Sequence, residues 1–260
     1  MFEYTDQIGN KVKLKEKPMR IISIVPSQSE FLWDLGLKNE LVGITKFCVH
    51  PNQMFTSVER VGGTKKINIE KIRKLKPDLI IGNKEENEKS DIEALQKEFK
   101  VWMSDIYNFE DAFIMMMELG KMTGKEKEAE RIVNKIKKDL PKVKDIFNGE
   151  RVAYFIWYKP YMFAAKDTFI DHVLNYIGLK NALGNLKRYP ELTDEEIKKI
   201  DLKLCFLSSE PFPFKVKHVK ELKDKLPLAK ITIVDGEIFS WYGSRLQHFK
   251  DYVLNLKESL

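Results

Sequence analysis

The chain echoes itself twice, and the echoes constrain its fold more than any other feature. DLGLKNEL, Asp34 to Leu41, returns as YIGLKNAL, Tyr176 to Leu183. IEKIRKLKPDLIIG, from Ile69, returns in pattern as DEEIKKIDLKLCFL, from Asp194, which sets Glu70 opposite Glu195. Helix endings of this kind are common, so a single echo could be coincidence. Two in the same order favour a duplicated unit. The unit is of the strand–helix kind, as Arg20 to Gly36 (RIISIVPSQSEFLWDLG) illustrates. Ile21 to Val25, mostly β-branched, reads as a buried strand, and Pro26 ends it for want of an N–H. Ser27, Gln28 and Ser29 then offer caps for a helix with Glu30 in its first turn. Phe31, Leu32 and Leu35 give that helix an apolar face, and Gly36 stops it. Small polar groups and free N–H groups thus fall at the carboxyl end of a strand, where open α/β sheets bind ligands. An ordinary βα unit with no such role is the alternative.

Tyr4 to Leu14 reads as a hairpin turning at Gly9-Asn10. Strands are expected at Leu41 to Thr45, Leu79 to Gly82 and Val101 to Ser104, with helices from Ile69 to Leu75, capped by Asn68, and from Asp91 to Phe99. From Asn108, whose NFED is a capping-box-like start, the pattern stays helical for about forty residues. Lys125 to Phe147 alone would span about 35 Å as one helix, bent or turned near Pro141. A helix of that length suits a rigid connector, with a coiled-coil arm as the alternative. The second half repeats the first. It has strands at Arg151 to Tyr158, Leu202 to Leu207 and Ile231 to Val234, and helices at Asp171 to Ile177, Thr193 to Ile200 and Arg245 to about Leu256. The expectation is an α/β protein of two Rossmann-like lobes with parallel-type sheets, joined by one long interlobe α-helix. Residues 1–107 form the first lobe, 108–148 the connector and 149–260 the second lobe, with strand-end loops facing a cleft.

Composition fits. With 43% hydrophobic and 32% charged residues, the chain is a globular protein rather than a disordered one. No apolar run approaches the ~20 residues of a membrane span. Met1 leads at once into FEYTDQIGN, without the basic flank and apolar core of a leader. That reading leaves a cytosolic protein or a chain whose leader has been removed. Cys48 and Cys205 are too few for a disulfide framework and are expected as buried thiols. The net charge of +6 raises nucleic acid as a partner. The lysines alternate with glutamates, however, as on a solvated helix face, and no aromatic-plus-basic motif accompanies them, so no nucleic-acid binding is expected.

The order of the motifs brings in a family. VPSQSE after a strand, LGL closing the next helix, TKFCVHP, GGT before NIEKIRKLKPDLIIG, the second GLKN and a late WYGSR run through the whole chain. Together they resemble the helical-backbone (class III) substrate-binding proteins of ABC importers, the receptors for cobalamin and iron–siderophores. The FCxHP loop and the WYG with its nearby arginine resemble the cobalamin type more. The resemblance implies a periplasmic or membrane-anchored receptor, monomeric, that captures a corrinoid or another metal chelate between two nearly rigid lobes and delivers it to a membrane permease. Iron–siderophore and haem are the alternative ligands. It also implies one permease-docking glutamate per lobe, Glu70 and Glu195, the second adjacent to Glu196.

A flat ligand of this kind needs aromatic faces and a few polar contacts. The strand-end loops offer Phe47, Trp157, Tyr158, Tyr161, Phe212, Trp241 and Tyr242, with Ser27, Gln28, Asn83, Glu210 and Arg245 as polar candidates. Of Trp157 and Tyr158, only one can face inward. Arg245 could instead pair with an internal acid, and each aromatic could be core, as Trp33 and Trp102 are expected to be. Lys65, Lys84, Lys159 and Arg245 are the cations placed to meet an anionic ferric siderophore. Cys48 and His50 lack further ligands for a metal of the protein's own, and His172, His218 and His248 fall on surface stretches, so no resident metal or cofactor is expected; His50 as a ligand to the cobalt or haem iron of a bound chelate is the alternative. The chain has no GxGxxG, P-loop, GxSxG or HExxH. A cytosolic α/β enzyme, the alternative of another class, would need a titratable group of perturbed pKa deep in the cleft.

Overall fold

The structure, a computed structural model, describes residues 1–200 and 202–260. The chain divides into two compact units, one of Met1–Lys138 with Trp241–Gln247 and one of Asp139–Ser240 with His248–Leu260.

In the first unit β1 (Phe2–Thr5) and β2 (Lys11–Leu14) form the expected antiparallel hairpin. There follow β3 (Ile21–Ser23), α1 (Pro26–Asp34), β4 (Leu41–Ile44), α2 (Asn52–Ser57), β5 (Glu59–Arg60), α3 (Ile69–Leu75), β6 (Leu79–Asn83), α4 (Lys89–Gln96) and β7 (Val101–Ser104). The five strands from β3 to β7 make a parallel sheet in the order β5-β4-β3-β6-β7. The winding reverses between β3 and β6, and the carboxyl ends of those two strands flank the switch point where such sheets open a crevice. Ile22, Ile24, Ile72, Ile80, Leu95, Val101 and Met103 form the core. Continuous apolar strands are what burial on both faces demands.

Helix α1 begins differently from the expectation. Pro26 is its first residue and Val25 its N-cap, with no side chain capping it. Proline suits that position because its fixed φ is already helical and its missing N–H is not needed there. Ser29, expected as a cap, turns its hydroxyl back to within 2.8 Å of the Val25 carbonyl and of Ser23 Oγ. Glu30 consequently lies beyond the first turn.

After β7 come α5 (Phe109–Thr123), capped by Asn108, and α6 (Glu126–Asp139). The expected 23-residue helix from Lys125 to Phe147 is therefore a 14-residue one. Leu140–Val143 tightens into a 3₁₀ turn instead. Pro141 explains the stop, since its ring would meet the carbonyl four residues back and it has no N–H to donate.

The second unit contains β8 (Arg151–Trp157), β9 (Tyr161–Phe163), α7 (Phe169–Tyr176), β10 (Lys180–Asn181), β11 (Glu191–Leu192), α8 (Asp194–Lys199), β12 (Leu204–Ser208), α9 (Val216–Lys225), β13 (Lys230–Val234), α10 (Gly236–Ser240) and α11 (Phe249–Ser259). β8, β12 and β13 run parallel. The free edge of β8 pairs with β10 near its start and, antiparallel, with β9 near its end. α9 and the β9–β11 edge had no counterpart in the expected pattern.

The echoes are structural. Two residues beyond the last residue of each helix stands a glycine, Gly36 (φ 82°) after α1 and Gly178 (φ 86°) after α7, in a conformation glycine adopts without strain. Both close with the same hydrogen bonds, Gly36 N–H to Trp33 O and Leu37 N–H to Leu32 O, matched by Gly178 to Asn175 and Leu179 to Leu174. The chain then returns beside the first strand of the parallel sheet, pairing Leu41 with Ile21 of β3 and Lys180 with Arg151 of β8. Asn68 caps α3 and Thr193 caps α8, and the next strand again pairs with the first, β6 with β3 and β12 with β8. Glu70 and Glu195 are each the second residue of their helix.

Candidate functional site

At the switch point of the first unit, a buried amide–hydroxyl network joins three strand ends. Gln28, fully buried, donates through Nε2 to Ser104 Oγ at the end of β7. Asn83, the last residue of β6, donates to the same oxygen at 2.9 Å. The Ser104 hydroxyl in turn donates to the Gly82 carbonyl at 3.2 Å. The Asn83 side-chain oxygen accepts from the N–H groups of Glu85 and Glu86, and Asn87 ties Asn83 N–H to the carbonyls of Ile24 and Thr64. Gln28 Oε1 is enclosed with no hydrogen-bond partner among the described residues, and Ser244 Oγ is likewise. Gln28 and Asn83 were among the polar candidates readable from the sequence. Ser104 and Asn87 were not, because a lone serine ending a strand and an asparagine in an acidic run give no signal until the sheet order aligns them.

The segment Trp241–Gln247 belongs to this unit although 102 residues separate it from Lys138. Its Arg245 makes a two-pronged bond to Glu30 of α1, Nε to Oε2 at 3.0 Å and Nη2 to Oε1 at 2.7 Å. The guanidinium also lies 4.7 Å from the centre of the Trp241 ring, a cation–π contact, and the edge of His50 meets that ring at 6.1 Å. Arg245 thus pairs with an internal acid, the alternative open in the sequence. Burial pushes the Glu30 carboxyl up, and the bonds from Arg245 oppose that shift. Gly243 sits on the first turn of α1, where a Cβ would lie 2.7 Å from the Ser27 carbonyl oxygen.

The aromatic candidates divide by exposure. Phe47 is 49% exposed with Lys46 over its ring, and Trp157 is 40% exposed with Phe212 at its edge. Trp241 and Tyr242 are buried, as are Trp33 and Trp102, the two assigned to core. In the second unit Tyr161 lies within the core cluster against Phe155, and its hydroxyl accepts from Lys225. Tyr158 stacks over His218, with Phe212 and Phe214 beside it, and donates its hydroxyl to Glu221. Glu210, past the end of β12, accepts from Ser240 Oγ at 2.7 Å.

His218 corrects an expectation. It is buried rather than on the surface, and its Nδ1 accepts the Lys215 N–H at the start of α9. Burial foremost, with Lys217 and Lys215 adding to it against Glu221, holds the imidazole below its ordinary value. Cys48 and Cys205 are buried free thiols as expected, and burial raises both. Cys48 donates to Ser29 Oγ at 3.2 Å, so it braces α1 against its neighbouring loop.

Glu70 and Glu195 are both exposed on the first turns of their helices. Glu70 pairs with Arg73, which also grips Glu98. On α8 the three acids part company. Asp194 binds Lys225, and Glu196 closes a capping box on Thr193. Glu195 has no ion pair or side-chain hydrogen bond among the described residues.

No group of metal-ligating side chains assembles among the described residues, and no helix there is long and apolar enough to cross a membrane. Comparison with known proteins places the fold. An uncharacterised ABC transporter substrate-binding lipoprotein, YvrC of Bacillus subtilis, is 31% identical over 75% of this chain and 65% of its own length. A vitamin B12-binding protein of Vibrio parahaemolyticus is 26% identical over 68% of this chain and 66% of its own. The chain thus spans just under two thirds of these relatives. The siderophore-binding protein BauB, solved with ferric iron and two acinetobactin molecules, superposes with a TM-score of 0.79 at 19% identity, over 97% of this chain and 96% of its own. Likeness at that identity speaks for the fold alone. The sequence profile of the periplasmic binding protein family matches residues 21–228, and the chain belongs to that family.

Proposed function

We propose that this protein is the substrate-binding component of an ABC importer, acting outside the cytoplasmic membrane, and that its ligand is a corrinoid. The observation that carries the proposal is the paired strand-end architecture. Each unit ends its parallel strands in a surface bearing an exposed aromatic, Phe47 in the first and Trp157 in the second, over buried polar groups such as Asn83–Ser104 and Tyr154–Ser208. Such surfaces suit a broad, flat, largely apolar ligand. The names of the two sequence relatives point the same way, one to substrate binding for an ABC transporter and one to vitamin B12. Phe47 in the first unit and Trp157 in the second offer their exposed rings to the ligand; Ser27, Gln28, Asn83, Trp241, Tyr242 and Arg245 brace that surface from beneath in the first unit and Glu210 in the second, whereas Tyr161, expected among them, belongs to the core. The protein acts by binding and release, with no covalent step, and no cofactor of its own takes part.

Delivery requires a permease, and Glu70 and Glu195 are its docking points. Their equivalent places in the two halves support the pairing, and with Asp194 on Lys225 and Glu196 in the capping box, Glu195 is the exposed acid of α8 with no ion pair or side-chain hydrogen bond among the described residues. Gel filtration of the purified protein mixed with cyanocobalamin tests the ligand. The corrin absorbance should move with the protein. Co-elution of haemin or a ferric siderophore in its place would keep the receptor and change the ligand, while separation of all three from the protein would overturn the reading.

A further inference from the structure

Three of the cations placed to attract an anionic ligand lie in the first unit, and each is already engaged by an oxygen of the protein. Arg245 is held by both oxygens of Glu30, with each side chain only 14% exposed. Lys84, just past β6, lies 2.6 Å from Asp105 Oδ2, just past β7. Lys65 donates to the main-chain carbonyl of Glu85 at 2.6 Å. The acids come from separate elements, so no single local motif accounts for them. Neither carboxylate caps α1, which has no side-chain cap. The Trp241 ring against Arg245 fixes the guanidinium further, so turning it toward a ligand would break two contacts at once.

We propose that Glu30 and Asp105 are specificity-determining residues, which cancel Arg245 and Lys84 and so exclude ligands with net negative charge. The inference rests on the reading that this strand-end surface takes the ligand, and it deepens that reading by naming the ligand's charge class. A haem brings two carboxylates and a ferric tris-catecholate a net negative charge. Either must displace a carboxylate already in place, and must approach Glu30 and Asp105 as like charges. Cyanocobalamin carries one phosphodiester, but its net charge is zero and its corrin rim presents neutral carboxamides, so its flat face meets neither penalty. Without Glu30, the largely enclosed guanidinium would be left as an unpaired anion hook.

The test compares wild type, Glu30→Gln, Asp105→Asn and the double variant Glu30→Gln/Arg245→Gln, each titrated with cyanocobalamin and with haemin. The readout is the ratio of the two affinities. Wild type should favour cyanocobalamin. Glu30→Gln should shift the ratio toward haemin by about ten- to hundredfold, the worth of a charge-assisted hydrogen bond. Asp105→Asn should shift it by about fivefold or less, because the Lys84 pair is exposed and screened. The double variant should lose the gain of Glu30→Gln, and it carries the comparison with Asp105→Asn if that single variant does not fold. A ratio unmoved in the folded variants, with wild type still binding cyanocobalamin, overturns the proposal alone. Wild type that binds only haemin, or neither ligand, overturns the corrinoid reading and this proposal with it.

Discussion

Gly243→Ala is the most informative single substitution, because it tests whether Trp241–Gln247 is seated on α1. A Cβ at position 243 would lie 2.7 Å from the Ser27 carbonyl oxygen, about 0.7 Å inside the 3.4 Å at which ordinary contact begins. The obstructing atom is backbone in the first turn of a buried helix, so it cannot swing aside as a side chain would. Overpacking of this kind costs about 1–3 kcal/mol. Replacing glycine returns roughly 0.4–1 kcal/mol by restricting the unfolded chain. The steric term wins, and the net loss is about 1–2 kcal/mol. Urea unfolding followed by tryptophan fluorescence suits the measurement, since Trp33, Trp102 and Trp241 all belong to this unit. The midpoint should fall, and the apo spectrum should shift as Trp241 leaves its place between Arg245 and His50. A midpoint unchanged or raised would refute the seating.

Other expectations follow from single contacts. His218 is neutral in the fold and its value is depressed, so its contribution to stability is complete above pH 6.5 and drains away as pH falls through the depressed value. Proton NMR should find it titrating below 6.5, and His218→Gln should flatten that part of the stability profile; titration at or above 6.5 would contradict the burial argument. Phe47→Ala and Trp157→Ala should each weaken cyanocobalamin binding by about three- to tenfold with stability changed by less than about 0.5 kcal/mol, since both rings are well exposed. Trp241→Ala, at a buried position, should lower stability by roughly 3–5 kcal/mol as well as affinity. Glu195→Arg should leave ligand binding intact and abolish uptake, whereas Glu196→Gln should lower the melting temperature by opening the capping box yet still permit uptake. Equal uptake defects in the two variants would remove the distinction between them.

What could be read from the sequence was local, and what could not was long-range. Asn68, Thr193 and Asn108 declared their helices because capping is a matter of three or four residues. Gly36 and Gly178 marked the repeat for the same reason. Pro26 misled: a residue that ends a strand is equally fit to begin a helix, and only the observed N-cap at Val25 decides between them. Pro141 was noticed, but the continuing charge pattern of KIKKDLPKVKD outweighed it, and the helix ran too far in expectation. His218 was misplaced because VKHVKELKDK looks solvated by composition, while the cage of Tyr158, Phe212 and Phe214 comes from segments beyond its own helix. In the candidate site the residue types were legible and their partners were not. Glu30 and Arg245 are 215 positions apart, and Gln28 meets Ser104 across 76, distances that only a sheet order can bridge.

Isothermal titration of the purified protein with cyanocobalamin, with haemin and a ferric siderophore alongside, tests the central claim most directly. The account predicts tight, saturable, one-to-one binding of cyanocobalamin in preference to either iron chelate. Heat only from the iron chelates, or from none of the three, would contradict it.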